Sequence, residues 1–508
     1  MHARNRRSPP SRWSALVGIC IAAALVWLAF ADLGVALPTI ATQLDVSLTD
    51  MQWANNALSI ACGTLLLATG RFADLYGRRR LLLLGLVVFG CASLVTAFLS
   101  GLAGLIVGRA VMGIGGALIL PATLALIPVL FSRAEQPTAF AAWAAATWAG
   151  QALGPAFGGT LTTLLGWRSL FWISAPAALV AYLLTSRNTP ESREVSSGRV
   201  DLVGVVTSAG AALCLLFALT EGQRVGFRNP VIIGLFVAAL LLAALFVIVE
   251  LKITNPLVDL RLFRARSFDG ALTVNLTMNI TFAGTLFVLA LYLQDVRGYS
   301  AFVAGLLLVP AAVTILVFNT VGARITARHD ARTPAVGGLL LISLGFFVVS
   351  PVTPTSSFLL VILGLLIVGV GLGLLSVPMS DTLVGGPPTE LAGVASGVFK
   401  TSSMLGGALG VVLLTAVTAS YGRARAGSTS AAAGLSEEES SQVVNALTNS
   451  QTARSVLDRL PTDQRAVVTG AYDQAFADGV SAALVLSGVI ALVGAALSWW
   501  IWPRHRQG

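Results

Sequence analysis

Charge is scarce in this sequence. Only 11% of its 508 residues are Asp, Glu, Lys or Arg, less than half the roughly 25% of a soluble domain. With 56% hydrophobic residues, a soluble globular fold is excluded. Lysine is scarcer still, at Lys252 and Lys400 alone. A nucleotide-binding P-loop needs Gly-Lys-Ser/Thr, and these two follow Leu251 and Phe399, so no P-loop drives this protein. The four cysteines, Cys20, Cys62, Cys91 and Cys214, lie inside apolar runs at no ligand spacing, and His2, His329 and His505 sit in polar loops or the tail. No disulfide framework, metal site or cofactor is implied. With no His/Asp/Glu or Cys/His constellation in the sequence, the reading is not an enzyme.

What is present is a series of apolar runs, each near the roughly 20 residues that cross a bilayer. Fourteen are expected, at about 14–38, 51–70, 81–100, 103–130, 138–162, 167–186, 201–220, 230–250, 268–293, 301–321, 335–351, 357–378, 392–419 and 479–502. The first resembles a signal peptide through its basic start and Ala29-Phe30-Ala31, but its apolar pattern continues to Leu37, which favours a span. The expected fold is an all-α polytopic membrane protein. Its divisions are a basic arm at 1–13, six spans over 14–186, a polar linker at 187–200, two spans over 201–250 and six more over 268–502. A long polar segment at 420–478 separates the last two spans and is expected to form two or three short helices outside the membrane, one opened by a capping box of Ser436 and Glu439. The net charge of +9 then reads as topology and not as a nucleic-acid surface. Most basic residues fall in loops on the side of the termini, which places both termini in the cytoplasm of a multi-pass protein of the cell inner membrane.

A charge inside a span costs at least a few kcal/mol and usually marks function. Asp32, Arg109 and Lys400 are the candidates. Asp32 lies six residues before Pro38 and Arg109 six residues past Ala103, roughly 9 Å from the same membrane face, so the two share a depth. Asn55 and Asn56 fall at that level and are expected to supply hydrogen bonds to the pair. Two readings stay open, a proton-coupling pair in which protonated Asp32 releases Arg109, and a fixed ion pair. Lys400 either favours anionic or zwitterionic substrates, pairs with an acid, or snorkels to the inner face. Trp27, Phe30, Trp148, Gln151, Asn275 and Asn279 are candidate lining of a largely apolar cavity or, individually, packing.

Between the second and third spans the sequence reads GRFADLYGRRR from Gly70 to Arg80. Gly70 and Gly77 allow a tight turn, Arg78, Arg79 and Arg80 suit the anionic inner leaflet, and Asp74 can pair with an arginine or cap a helix amino terminus. This pattern resembles the signature loop of the major facilitator superfamily. Further stretches are similar to its fourteen-span drug:proton antiporters: ADLGVALPTI from Ala31, GRAVMGIGGA from Gly108, and GQALGPAFGG from Gly150, the form of the antiporter motif. Gly150, Gly154, Gly158 and Gly159 leave a helix face almost free of side chains for a close neighbour, and Pro155 removes a backbone donor. A second copy of the loop motif, GARITARHDAR from Gly322, has Thr326 and His329 where the first has Asp74 and Gly77, so only the first is expected to lock its side.

The resemblance implies two six-helix halves with two helices inserted between them, alternating access to a midplane site, Asp32 and Arg109 as the coupling residues, and a monomer bound by membrane lipids. The implied function is proton-coupled efflux of small lipophilic drugs or antibiotics, cations among them, with the proton gradient and no cofactor as energy source. The alternative is proton-coupled export or flipping of a lipid or other amphiphile; sodium coupling and a receptor role also stay open.

Overall fold

The computed structural model describes residues 12–46, 48–192, 201–253, 256–299, 301–328, 330–432, 436–437 and 462–503. Without water to satisfy peptide groups, a chain in lipid must close its hydrogen bonds within each helix, and the described residues form helices joined by short turns. In chain order these are α1 (Arg12–Ala31), α2 (Leu33–Leu44), α3 (Leu48–Tyr76), α4 (Arg78–Phe98), α5 (Leu102–Leu130), α6 (Gln136–Leu165), α7 (Ser169–Asn188), α8 (Leu202–Val225), α9 (Pro230–Glu250), α10 (Arg266–Leu291), α11 (Ala301–Arg328), α12 (Arg332–Val349), α13 (Phe358–Ser380), α14 (Ala392–Ala432) and α15 (Thr462–Ile501). Among the described residues thirteen helices are both long and apolar enough to cross a membrane. The other expected span, α6, has the length, at 30 residues, but carries the glycines and threonines that lower its hydropathy. The first span is two helices, α1 and α2, parted at Asp32.

Packing follows a repeat. In the first half α3 and α4 pack on α5, α1 on α6 and α7, and α4 on α7; in the second, α11 and α12 pack on α13, α10 on α14 and α15, and α12 on α15. Each pair of the first set has its counterpart, eight spans on, in the second. The halves meet where α3 crosses α14 and α6 crosses α11, two contacts that the same repeat exchanges. The inserted pair α8 and α9 pack on each other, with α8 resting on α3 and α14. Leu240 and Leu241 of α9 are 71% and 64% exposed, a surface that only lipid suits.

Small residues set how close these helices come. A Cβ on Gly150 would collide with the Ala24 carbonyl, one on Gly154 with Ala31 Cβ at 2.5 Å, and one on Gly158 with the Asp32 carbonyl. The equivalent crossing in the second half has Gly410 against the Ile280 carbonyl. Gly159 is half-buried beside this stripe, and α6 continues as helix through Pro155.

The long segment departs from expectation at both ends. Helix α14 has 41 residues and α15 has 40, roughly 60 Å each, about twice the hydrocarbon thickness. Apolar content ends near 419, but backbone hydrogen bonding does not. Arg423 donates to the Ala419 carbonyl and Arg425 to Tyr421, local pairs one turn apart that support a solvated helix. Part of the expected separate outside helices is therefore continuation of the two spans. The capping box at Ser436 and Glu439 reaches beyond the described residues, as do residues 1–11 of the basic arm and 193–200 of the linker.

Replacing Gly158 with Leu is expected to separate α1 from α6 and destabilise the fold by about 1–3 kcal/mol, whereas Gly234→Ala on α9, where a Cβ meets nothing within 4 Å, leaves it unchanged. Thermal unfolding followed by intrinsic tryptophan fluorescence in detergent checks both; equal melting temperatures would contradict the packing argument.

Candidate functional site

Two polar clusters lie in the apolar body, and a third closes one end. That end, where α1 begins, carries Arg71, Arg79, Arg80 and Arg133 and is called the basic face below. Its closure starts from Asp74, which is fully buried near the end of α3. Asp74 Oδ1 accepts from the Gly393 N–H at 2.9 Å and Oδ2 from the Val394 N–H at 2.8 Å, so the carboxylate caps the first turn of α14, where free N–H groups and the helix dipole favour a negative charge. Arg78, one turn on, bonds the same carboxylate at 2.6 Å through Nη2 and donates to the carbonyls of Thr389 and Glu390. One acidic group of the first half thus holds both its own arginine and the second half.

The loop residues divide differently from the sequence expectation. Gly70 does not make a turn; it lies inside α3, where a Cβ would meet Gly397 Cα at 2.9 Å, and it serves the close crossing with α14. Gly77 makes the turn, with φ +111°, a region that side chains avoid. Arg78 is 2% exposed and cannot reach lipid headgroups. Arg79 donates to the Ser186 carbonyl at 2.5 Å, and the exposed Arg80 lies 3.6 Å from Glu191. These arginines are occupied within the protein because the α3–α4 turn is folded onto the end of α7 and the segment after it. In the second copy, Thr326 donates to the Gly322 carbonyl of its own helix; His329 lies outside the described residues.

The structure brings Asp32 and Arg109 together. Both are almost wholly buried, and Arg109 Nη1 stands 3.8 Å from Asp32 Oδ1. The pair is loose, because the hydrogen bonds of Arg109 go to backbone: Nη2 to the Ala29 carbonyl at 2.8 Å and Nε to the Ala54 carbonyl at 3.4 Å. Asp32 Oδ1 has no hydrogen-bond partner among the described residues. Asn55 and Asn56 do not supply the bonds expected of them. Among the described residues Asn55 Oδ1 is buried without a donor, Asn56 is half-buried and bonds neither member of the pair, and the carbonyl of their neighbour Ala54 takes the role instead.

Lys400 is 5% exposed. It neither pairs with a carboxylate among the described residues nor snorkels to a face. Its Nζ lies 4.4 Å from the Trp143 ring centroid, 4.6 Å from that of Phe399 and 5.5 Å from that of Trp27, a cage with walls from α1, α6 and α14. The adjoining turn is held by Asn275, whose Nδ2 donates to the Phe399 carbonyl and to Ser402, while its Oδ1 accepts from Ser403 and Asn279. Asn275, held in turn by Asn279 one turn on, therefore fixes α14 against α10. Trp27 stacks near Phe30, at 5.4 Å, and Trp148 meets Phe282 edge-on at 5.4 Å across the two halves. Gln151 is half-buried and joins none of these clusters. Trp143, Phe399 and Gly393 were missed from sequence; the G-x-x-x-G spacing of Gly393 and Gly397 was the available signal for the last.

Asp74→Ala is expected to remove the contact between halves at the basic face. The Asp74–Arg78 pair lies within one loop and is lost from both conformations, but the two N–H bonds from Gly393 and Val394, about 1.5–3 kcal/mol each for a charged acceptor, are lost from the closed conformation alone, enough to open that face in most molecules. Spin labels at Tyr76 and Glu390, in a background without the native cysteines, would report a longer distance; an unchanged distribution would show that the glycine crossing suffices.

Comparison with known proteins bears on all of this. The family model described as Major Facilitator Superfamily matches residues 19–411. The chain is 32% identical to "Quinolone resistance protein NorB" of Staphylococcus aureus strain MRSA252 over 412 residues, 80% of this chain and 88% of that protein, and 33% identical over 412 residues, with the same shares covered, to that of strain JH9. Among solved structures it resembles the human organic anion transporter MFSD10 (TM-score 0.63, 15% identity, 96% of this chain and 100% of the other). It also resembles the proton:xylose symporter XylE (TM-score 0.61, 13% identity, 97% and 96%). The repeat of two six-helix halves, the sequence match over most of the chain and the relatives agree: the chain belongs to the major facilitator superfamily and is a multi-pass membrane transporter of small molecules, not an enzyme.

Proposed function

We propose that this transporter exports lipophilic antibiotics in exchange for protons, with Asp32 as the proton carrier and Arg109 as its partner. The observation that carries the reading is the loose buried pair, in which Asp32 holds an unbonded oxygen 3.8 Å from Arg109. A carboxylate satisfied by hydrogen bonds would have no reason to take a proton. Here protonation removes the counter-charge of Arg109 while the Ala29 and Ala54 carbonyls still hold the guanidinium, so the pair can separate without stranding a charge in lipid. Asp32 also parts α1 from α2, and its carbonyl lies against Gly158. Any shift of Asp32 is thereby felt by α6, which packs on the second half through α11.

In this reading the basic face is cytoplasmic, with both termini inside the cell membrane and Asp74 closing the route from the cytoplasm while the proton is exchanged outside. One proton moving inward through 100 mV supplies about 2.3 kcal/mol, roughly a 50-fold substrate ratio, and no cofactor is needed. The unit is a monomer, since both halves needed for a site lie in one chain. The division into a basic arm, two halves, an inserted pair and a linker serves this cycle. The quinolone named in the relatives makes that class the first substrate to test. A second reading, movement of a lipid or other amphiphile, draws on a surface crevice of about 370 Å³ between α1 and α6 lined by Trp13, Val17, Ile21 and Ala146, which a hydrocarbon chain would fill.

In proteoliposomes with an imposed pH gradient, a quinolone is expected to evoke proton movement that Asp32→Asn abolishes. Flux that persists in the variant would remove Asp32 from the cycle. Flux that follows sodium and not protons would replace the coupling ion, and response only to lipid substrates would favour the second reading.

A further inference from the structure

Lys400 is left unexplained by proton exchange at Asp32. Within the apolar body Asp32 and Arg109 offset each other, so Lys400 is the charge without a carboxylate among the described residues. The rings around it compensate only in part, since a cation over an aromatic face gains about 2 kcal/mol even when desolvated, less than the penalty for a charge in mid-membrane. A second donor stands beside it: Trp27 Nε1–H is buried with no acceptor among the described residues, in a ring whose centroid is 5.5 Å from Lys400 Nζ. The side chain cannot swing freely to another role, because Asn275 pins the turn that carries it through Phe399, Ser402 and Ser403. The cage is also divided between the halves, with Trp27 and Trp143 from the first and Lys400 and Phe399 from the second.

We propose that Lys400 and Trp27 form a recognition site for a carboxylate on the transported molecule, so that the substrates are lipophilic carboxylates, anionic or zwitterionic, whose ring systems lie against the cage aromatics. This deepens the export reading and rests on it. An anionic group supplies the counter-charge and the acceptor that the cage lacks. It also competes with the rings of the first half for an ammonium of the second, so binding weakens a contact that holds the halves together at this depth. Carboxylate recognition and the loosening needed for the opposite conformation then come from one exchange of partners. A purely cationic substrate would gain nothing from Lys400 and would be repelled by it.

The test uses one chromophore in two forms, a rhodamine with a free carboxylate and its ethyl ester, bound to the purified full-length protein and then transported in proteoliposomes. The intact protein is expected to bind the carboxylate form more tightly. Lys400→Gln is expected to weaken that binding about 10- to 100-fold, the range for a hydrogen bond to a charged group, and to leave the ester within about twofold. Lys400→Arg, which keeps the charge, retains the preference, and melting temperatures of both variants identify any loss due to misfolding. Equal losses for the two forms, equal binding of both by the intact protein, or binding of neither would overturn the carboxylate site. Carboxylate binding that depends on Lys400 without uphill transport would uphold the site and remove the export reading. Uphill transport of both forms regardless of the charge at 400 would do the reverse.

Discussion

The arrangement depends on the Asp74 carboxylate. It is buried, it belongs to the first half, and it accepts two N–H groups from the start of α14 in the second half. An ionised carboxylate taken out of water is tolerated only with charge and hydrogen bonds around it, and the two sources here are Arg78 and the α14 amino terminus. Because Arg78 is on the same loop while α14 is not, the carboxylate is satisfied in full only when the halves are together at the basic face. A local requirement for solvation thereby becomes a condition on the global conformation. The close crossing of Gly70 with Gly393 and Gly397 makes the requirement attainable, since any side chain there would hold the carboxylate away from its donors.

The same economy of side chains recurs away from that contact. Lipid offers no hydrophobic force to press helices together, so close approach through small residues substitutes for it. The α1–α6 and α10–α14 crossings are built alike from glycines against backbone carbonyls. Such interfaces hold by shape, reinforced at α10–α14 by the hydrogen bonds of Asn275, which suits surfaces that must move together as a rigid half while the crossings between halves open and close.

The buried charges differ in how completely they are satisfied. Asp74 and Arg78 bond each other and the backbone; Arg109 is bonded to backbone more than to Asp32; Lys400 is faced by three rings and, among the described residues, by no carboxylate. That gradient, from locked to unpartnered, separates groups that set a conformation from groups with a reason to meet a proton or a ligand.

Composition and the length of apolar runs were enough for the fold class and for the helix order, because the membrane permits so few structures and because span length is set by bilayer thickness. The loop and span motifs were equally legible, being contiguous in sequence. What the sequence could not carry were contacts between distant segments. Gly70 read as a turn residue because glycine allows both a turn and a close crossing, and only the position of α14 decides between them. Arg78 read as a lipid anchor because its acceptors, the carbonyls of Thr389 and Glu390, are more than 300 residues away. Asn55 and Asn56 read as partners for Arg109 at the right depth, but depth does not fix azimuth, and a neighbouring carbonyl faces the guanidinium instead. Sequence by itself determined which charges are placed in the membrane; tertiary structure decided which of them are paired, since pairing depends on how helices from two halves rotate against each other and no local spacing records that.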